Sequence, residues 1–583
     1  MFKNNIKALE KINKNLSKKI NKISLNKASQ NLGALKNQYG EYILTSGDRY
    51  IDDTPSPLEA AKKIYESQIK SATSRHDFIV IFGLGLGNLL DYIHQKSISS
   101  LILYEPDLNI LRFTFEYVDL TKYFTDGRLY ITDNINDCTK YIEERYLLDD
   151  KIEFVFLKNY LMLHSSEFTL LTERIYETCQ NKIVDLNTIK KLSKDWVINT
   201  LHNVTDKAKN YPVNLLENKF KNKTALVLGA GPSLKDNIEI IKKNRDKFII
   251  FAVHRTLENL KNNDIFPDFC VVIDAKWLKD SLKTDNEYLK SINVIEDIKS
   301  DYYLRLKTFK HYFIYYSQNN TFSNKLQMKL PTKLKCLETG GTSTICAYRC
   351  AKLMGFKNII FAGVDLAFKD DTAYCTGQIA VANDGKSIKL HNNIIPLATV
   401  KSITGEYVKT RADYAEFIKQ FEIIFARDNT SNLYNLSTFG AFINGMQYKS
   451  LEEILSDETV SSSQIIEETI KSSSSFEEKI HTTSLDILKE EQQKIRPVIN
   501  SVQEWFEMYK DHPSFFEYAT PIITSITSTM ILQDIIQIEI IQFSKLVLSK
   551  DNKIKKELIV NMFNTILNYS KNLDNLINIE NKK

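Results

Sequence analysis

Residues 224–277, TALVLGAGPSLKDNIEIIKKNRDKFIIFAVHRTLENLKNNDIFPDFCVVIDAKW, decide the fold. Three apolar runs, the second ending at His254 and the third at Asp274, alternate with two stretches of helical periodicity. This order predicts a βαβαβ unit, whose parallel strands hold a ligand beyond their carboxyl ends. We therefore expect an α/β protein with a Rossmann-like central domain.

The first of these strands ends in the turn Gly229-Ala230-Gly231-Pro232-Ser233. The two glycines lack the Cβ atoms that would block a ligand, and the next helix presents unpaired N–H groups to an anion. A tight strand-to-helix turn without a ligand explains the same glycines equally well. A phosphate-bearing ligand is the first hypothesis for this turn.

A second glycine-rich helix start, Gly340-Gly341-Thr342-Ser343, precedes a buried strand that ends at Asp365. It offers backbone N–H groups and hydroxyls to an anion for the same reason. Two such helix starts in one α/β domain can face a single crevice, which favours a nucleotide site.

The N-terminal region carries its own signature, DFIVIFGLGLGNLL, in which Gly83, Gly85 and Gly87 follow a strand. Glu105 ends the next strand, at the position that binds a ribose hydroxyl in dinucleotide and S-adenosylmethionine folds. No catalytic constellation follows this motif, and α/β units also persist as scaffolds without a ligand. Both interpretations stay open.

The length of 583 residues suggests roughly three or four domains. Changes of pattern predict a smaller α/β domain before the central one and a helical bundle after it. The predicted boundaries are a helical segment 1–70, a Rossmann-like N-terminal domain with a helical connection 71–215, a central catalytic domain 216–450 and a C-terminal helical domain 451–583.

Composition narrows the class of protein. The 77 basic and 72 acidic residues nearly balance, which gives no argument for nucleic acid as a partner. Seven cysteines without CxxC pairs, and no secretory segment after Met1, predict reduced thiols and a cytoplasmic protein. The apolar run 522–548 is interrupted by polar and charged residues, so we expect a packed helix and no membrane span.

The central domain resembles the motility accessory factor (Maf) family of glycosyltransferase-like proteins, which are linked to flagellin glycosylation. The motifs that carry the resemblance are LVLGAGPSL, PDFCVVID, LETGGTSTICAYRCAKLMGFKNIIFAGVDLAF and YNLSTFGAFINGM, in this order within residues 223–446. A weaker similarity reaches bacterial sialyltransferases, which share the GxGPSL turn and the second helix start.

The resemblance implies a CMP-activated nonulosonic acid as donor, such as pseudaminic or legionaminic acid. The implied acceptor is a Ser or Thr hydroxyl of flagellin, modified in the cytoplasm before export for flagellum assembly and motility. It implies no required cofactor or metal, and the central domain lacks an Asp-x-Asp pair for a metal-chelated donor. A homo-oligomer stays open.

Carried over residue by residue, the nucleotide turn corresponds to Gly229, Gly231, Pro232 and Ser233, with Gly340, Gly341, Thr342 and Ser343 at the second helix start. Asp365 matches the sialyltransferase acid at its strand end, and Tyr374 matches one of two tyrosines that donate to the leaving phosphate. Three positions depart from that pattern, since Ala230 and His254 stand where those enzymes carry donor-binding asparagines and Ala367 stands in place of the other tyrosine. The usual general-base histidine has no counterpart in GEYVKTRADY.

The general base is therefore open. His254 is the first candidate, because it ends a strand at the crevice and titrates near neutral pH, although it could equally bind the nucleotide or pack. Asp274 could act as base, bind the ribose or cytosine, or cap the next helix. Arg411 could pair with the donor carboxylate or remain a solvated charge; His391 is expected to be exposed.

Two other functions compete with the transferase. An archaeal group of pterin pyrophosphokinases is similar in the domain that contains GAGPSL, so a nucleotide or pterin pyrophosphokinase-like enzyme is the first alternative. A non-enzymatic flagellin-binding export factor is the second, since the C-terminal helices could support binding alone.

Overall fold

The computed structural model describes residues 1–72, 74–206, 210–317, 321–330, 333–338, 341–369, 387–390, 393–455, 460–472, 476–546 and 552–582. The chain divides into a first unit, Met1–Lys191, and a second unit that holds most of residues 192–583. The division falls inside one continuous helix, Ser165–Thr205, whereas the sequence places a boundary at residue 215. No change of composition marks a boundary within a helix.

The first unit contains a four-stranded parallel sheet in the order β6-β5-β4-β7 and a three-stranded antiparallel sheet β1-β2-β3. Its strands are β1 (Leu32–Lys36), β2 (Tyr42–Ser46), β3 (Arg49–Tyr50), β4 (Phe78–Phe82), β5 (Ser100–Tyr104), β6 (Leu129–Thr132) and β7 (Ile152–Phe156). Its helices are α1 (Phe2–Glu10), α2 (Lys14–Asn21), α3 (Leu25–Ala28), α4 (Pro57–Gln68), α5 (Asn88–Lys96), α6 (Leu108–Tyr117), α7 (Thr121–Thr125), α8 (Ile135–Arg145), α9 (Lys158–Leu163) and the start of α10 (Ser165–Thr205).

Residues 1–70 differ from the predicted helical segment, because they also form the antiparallel sheet. Leu9 of α1 and Leu16 and Ile20 of α2 are fully buried and share one hydrophobic core with Phe78 of β4. The N-terminal segment therefore completes the first unit.

The second unit is built on a nine-stranded parallel sheet in the order β19-β18-β14-β9-β10-β11-β12-β13-β8. Its strands are β8 (Asn210–Pro212), β9 (Thr224–Leu228), β10 (Ile249–Val253), β11 (Phe269–Val272), β12 (Asn293–Asp297), β13 (Tyr312–Tyr315), β14 (Asn358–Ala362), β18 (Asn432–Asn435) and β19 (Gln447–Tyr448); β15 (Ser387–Leu390), β16 (Asn393–Lys401) and β17 (Tyr407–Arg411) form a separate antiparallel sheet. Its helices are α11 (Leu234–Lys243), α12 (Leu257–Asn262), α13 (Leu278–Ser281), α14 (Asn286–Leu289), α15 (Thr321–Lys329), α16 (Ser343–Met354), α17 (Ala412–Ala426), α18 (Ser462–Lys471), α19 (Phe476–Glu504), α20 (Phe515–Ile526), α21 (Met530–Ile535), α22 (Gln537–Leu546) and α23 (Asn552–Lys582).

The strand order reverses beside β9. The strands β10 to β13 follow one another on one side of β9. The strand β14 lies on the other side of β9, where its Ala362 is paired with Leu228. In open α/β sheets, such a reversal leaves a crevice outside the carboxyl ends of the two strands. The predicted fold class, a Rossmann-like domain between a smaller α/β domain and helices, is confirmed.

The described part of the apolar run, residues 522–546, belongs to three separate helices, α20, α21 and α22, and not to one. Buried residues of α19 to α23, among them Trp505 and Phe563, form one hydrophobic core with Val197 and Leu201 of α10. Within the described residues, no helix combines the length and apolarity needed to cross a bilayer.

Candidate functional site

A cavity of ≈ 200 Å³ lies where the strand order reverses. The ends of β9, β10, β11 and β14 meet there with the start of α16 and one face of α17. The lining residues are Gly229, Ala230, Gly231, Val253, His254, Arg255, Ile273, Asp274, Gly341, Thr342, Ser343, Thr344, Gly363, Val364, Asp365, Leu366, Arg411, Tyr414, Phe417 and Phe421. Both predicted glycine-rich segments thus contribute to one crevice.

The turn after β9 is joined to the loop after β14. The N–H groups of Gly229 and Gly231 donate to the carbonyls of Ala362 at 2.9 Å and Gly363 at 2.7 Å. A Cβ atom at position 229 would lie 2.4 Å from the Gly363 oxygen. The glycines are therefore needed for the contact between the two loops, and these N–H groups are already engaged.

Asp365, in the loop after β14, holds the turn after β9 in place through hydrogen bonds. Its Oδ2 accepts the Ser233 N–H at 2.8 Å, and its Oδ1 accepts the hydroxyls of Ser233 and, at 2.7 Å, Ser437. Burial raises the pKa of Asp365, while the hydrogen bonds from Ser233 and Ser437 oppose the rise. Ser233 is fully buried, and neither it nor Pro232 is among the lining residues. Asp365 therefore braces the start of α11.

The start of α16 faces the cavity directly. Thr342 is its N-cap and accepts the Thr344 N–H at 3.3 Å, while Gly341 adopts a positive φ of 73°. The first N–H groups of a helix have no partner inside the helix and carry its positive dipole end. Together with the Thr342, Ser343 and Thr344 hydroxyls, they are donors of the kind that can bind an anion at a helix start. Gly340 lies outside the described residues.

His254 and Asp274 lie together at the ends of β10 and β11. His254 is buried, its Nε2 is 3.1 Å from the Ser281 hydroxyl, and its Nδ1 is 3.5 Å from Asp274 Oδ2 without hydrogen-bond geometry. Because Ser281 donates to the Trp277 carbonyl at 3.0 Å, its oxygen is left to accept a proton from Nε2. We assign the neutral tautomer with the proton on Nε2, which leaves Nδ1 as a buried acceptor.

Burial lowers the pKa of His254 to about 4, although the Asp274 carboxylate acts in the opposite direction. The imidazole is thus neutral at pH 7 and able to accept a proton. The side chain of Asp274 is 38% exposed. The Asp274 carboxylate is thus the exposed acceptor of the pair for a ligand that carries an N–H or O–H donor, and the buried Nδ1 lies 3.5 Å from that carboxylate.

Arg411 is buried at the junction of β17 and α17. Its guanidinium binds both Asp413 oxygens, at 2.9 and 2.6 Å, and stacks 4.0 Å from the Tyr414 ring centre. Asp413 orients the guanidinium and compensates part of its charge. Arg411 is the last residue of β17 and the N-cap of α17.

Two residues named from the sequence, Tyr374 and His391, lie outside the described residues. Other residues of the site could not be recognised from the sequence. Ser281, Ser437 and the aromatic wall of Tyr414, Phe417 and Phe421 carry no motif, whereas Asp413 could have been found from its spacing of two residues to Arg411. Among the described residues, no group of three or more His, Cys, Asp or Glu side chains could hold a metal ion.

The GLGLG turn of the first unit is filled by side chains of the same chain. The Leu84 N–H donates to Glu105 at 2.9 Å and the Leu86 N–H to Asp52 at 3.3 Å. Tyr160 donates its hydroxyl to Glu105 as well. Glu105 thus binds protein donors at the position where related folds bind ribose, and burial raises the pKa of Glu105 and of Asp52 to about 7.

The fold of the chain is similar to that of a solved glycosyltransferase. Over 99% of this chain and 96% of the other, the structure is similar to that of the MAf glycosyltransferase from Magnetospirillum magneticum AMB-1, with a TM-score of 0.66 and 13% sequence identity. The chain has the fold of a Maf glycosyltransferase. The predicted resemblance to the Maf family is thereby confirmed for the fold.

Two sequence comparisons are more local. Residues 198–371 match a family model described as 6-hydroxymethylpterin diphosphokinase MptE-like. A 54-residue segment, 9% of the chain, is 39% identical to an uncharacterized protein of Treponema pallidum (strain Nichols), and the match spans 26% of that protein's length.

Proposed function

We propose that the protein is a glycosyltransferase that moves a nonulosonic acid from its CMP-activated form to Ser or Thr of flagellin in the cytoplasm. The observation that carries the proposal is the start of α16, which faces the cavity at the strand reversal of a Maf-type fold. A CMP-sugar releases an anionic phosphate, and a helix N-terminus with three hydroxyl side chains stabilises such an anion.

In the proposed reaction, the N–H groups and hydroxyls of Thr342 and Ser343 bind the CMP phosphate. Arg411, oriented by Asp413, lies on the same wall and can contact the donor carboxylate. The acceptor hydroxyl oxygen attacks the anomeric carbon, the bond from that carbon to the phosphate oxygen breaks, and CMP leaves with the electron pair.

The proton of the acceptor hydroxyl goes to His254 Nδ1 or to Asp274. Nδ1 is an acceptor in the assigned tautomer and has no hydrogen-bond partner among the described residues. Because its pKa is about 4, His254 is a weak base that gains from the nearby Asp274 carboxylate once it is charged. The pair therefore acts as one acceptor site.

A pterin diphosphokinase is the second candidate, because the family model that matches residues 198–371 bears that description. The same start of α16 could bind the phosphates of ATP. In that reaction a pterin hydroxyl attacks the β-phosphorus of ATP and AMP leaves, so the two functions differ in the nucleotide they require.

Ligand-dependent thermal stability of the full chain separates the two functions. We expect CMP at a hundredfold excess over its Kd to stabilise the protein by about 2.7 kcal/mol, with no comparable effect of ATP and Mg²⁺. Stabilisation by ATP and Mg²⁺ alone would favour the diphosphokinase. No stabilisation by either would favour a non-enzymatic flagellin-binding factor.

Flagellin mass tests the acceptor. We expect flagellin from cells that lack this chain to lose the mass of the sugar, and expression of the wild-type chain to restore it. A variant with His254→Ala and Asp274→Ala should not restore the mass, although it should still bind CMP. Unchanged flagellin mass in cells without the chain would contradict the proposed acceptor.

A further inference from the structure

The first unit contains a second cavity, of ≈ 650 Å³, which the proposed transfer reaction does not use. One wall is a face of α4, and the others are the turn between β1 and β2, the loop before α4 and the start of α9. All of these elements belong to the first unit, so the cavity is separate from the one at the strand reversal. Its volume lies within the range of small-molecule pockets, roughly 300–1,000 Å³.

Two of its carboxylates hold the walls together. Glu41 accepts the hydroxyl of Ser56 at 3.0 Å, and Asp53 accepts the N–H groups of Lys158 and Asn159 at 3.0 Å each. These bonds join the β1–β2 turn to α4 and the preceding loop to α9. The cavity is therefore a preformed feature whose two framing acids are already hydrogen-bonded.

Other lining groups remain available to a ligand. The side chains of Lys63, Lys158 and Glu59 line the cavity and form no ion pair within the described part of the chain. Gln68 accepts the Phe156 N–H at 3.2 Å through its oxygen, which leaves its amide N–H groups as donors. Tyr39 adds a ring that is 61% exposed. The available set is two cations, one carboxylate, one amide donor and one aromatic face.

We propose that this cavity binds a small carboxylated polyol, that is, a sugar acid. The ammonium groups of Lys63 and Lys158 would bind the carboxylate of the ligand. Glu59 and the Gln68 amide would bind its hydroxyls, and the Tyr39 ring would pack against the apolar face of a sugar ring. A simple anion would leave Glu59 opposed to it, and a neutral sugar would leave both lysines without a counter-charge.

The test is titration calorimetry of the full chain with N-acetylneuraminic acid as the probe. We expect binding with a Kd of about 1 mM or tighter, weakened at least about tenfold by Lys63→Gln combined with Lys158→Gln. Lys62→Gln is the matched control, because Lys62 lies on α4, is exposed and does not line the cavity. It should bind the probe like the wild type. The methyl ester of the probe, which lacks the charge, should bind about tenfold more weakly.

The outcome is independent of the proposed transferase activity. We expect probe binding to persist when CMP saturates the protein and in the His254→Ala variant. Competition between CMP and the probe would place the probe in the central cavity and overturn the proposal. No binding at millimolar concentration, or equal binding by the double lysine variant, would overturn it as well.

Discussion

Two glycine-rich turns, GLGLG in the first unit and GAGPS in the second, follow buried parallel strands and look alike in sequence. In the first, the N–H groups of Leu84 and Leu86 donate to Glu105 and Asp52. In the second, the N–H groups of Gly229 and Gly231 donate to main-chain carbonyls of the loop after β14.

Neither turn thus offers these N–H groups to a ligand. The second differs because the start of α16, which is distant in sequence, lines the same cavity as Gly229, Ala230 and Gly231 and adds the N–H groups of a helix start there. A glycine-rich turn therefore indicates where a parallel sheet can hold a ligand, and neighbouring elements decide whether the space is open.

The largest expected effect on stability separates two costs of a side chain in the GLGLG turn, namely a clash with Asp52 and the strain of a positive φ. A Cβ atom at Gly85 would lie 2.0 Å from Asp52 Oδ1, whereas Gly127 has nothing within 4 Å, and both adopt positive φ. We expect Gly127→Ala to destabilise the first unit by about 1 kcal/mol and Gly85→Ala by about 4 kcal/mol. Denaturant unfolding measures both, and equal effects would contradict a filled turn.

The next effect compares the two carboxylates that brace the turns. Asp365→Ala would leave the buried Ser233 N–H without a partner, and we expect a loss of about 3 kcal/mol together with weaker CMP binding. Glu105→Ala should destabilise the first unit by a similar amount and leave CMP binding unchanged. The exposed Asp236 is the control, since Asp236→Ala should change stability by less than about 0.5 kcal/mol. Altered CMP binding by Glu105→Ala would contradict the comparison.

The stabilities of the first and second units should also change with pH in opposite directions. His254 has a lowered pKa, so the unfolded state binds more protons between pH 6.5 and 4, and we expect the second unit to lose about 2 kcal/mol from pH 7 to 5. Asp52 and Glu105 have raised pKa values, so the folded state binds more protons, and each should contribute about 2 kcal/mol of stability over the same change.

Hydrogen exchange of β4 and β9, corrected for its intrinsic pH dependence, measures the two responses separately. His254→Gln should reduce the acid sensitivity of β9 without changing that of β4. If the protection of both strands changed in the same direction with pH, His254, Asp52 and Glu105 would not be the groups that dominate the pH dependence of stability.

The smallest expected effect concerns the cap of α16. Thr342→Ala removes the acceptor of the Thr344 N–H, and we expect a loss of about 1 kcal/mol in stability. CMP binding should weaken in the same variant, while Thr342→Ser should keep both properties. Thermal unfolding with and without CMP measures the two effects, and unchanged CMP binding by Thr342→Ala would be evidence against this helix start as the phosphate site.

Local pattern predicted much of the fold. The apolar runs before Gly229, His254 and Asp274 are β9, β10 and β11, because a buried parallel strand needs a continuous apolar run. The same reasoning merged α20, α21 and α22 into one helix, because breaks within helical sequence leave little trace in hydrophobicity.

The sequence by itself determined the parallel sheet and the pairing of two glycine-rich segments with one crevice, since these follow from periodicity and from the topology of parallel strands. Only the tertiary structure decided that Asp365 braces Ser233, that Ser281 orients His254 and that Asp52 and Glu105 fill the GLGLG turn. These contacts join residues that are tens to more than a hundred positions apart, as with Ser233 and Asp365 at a separation of 132. No local pattern encodes such partners, because burial and hydrogen bonding depend on how distant elements meet.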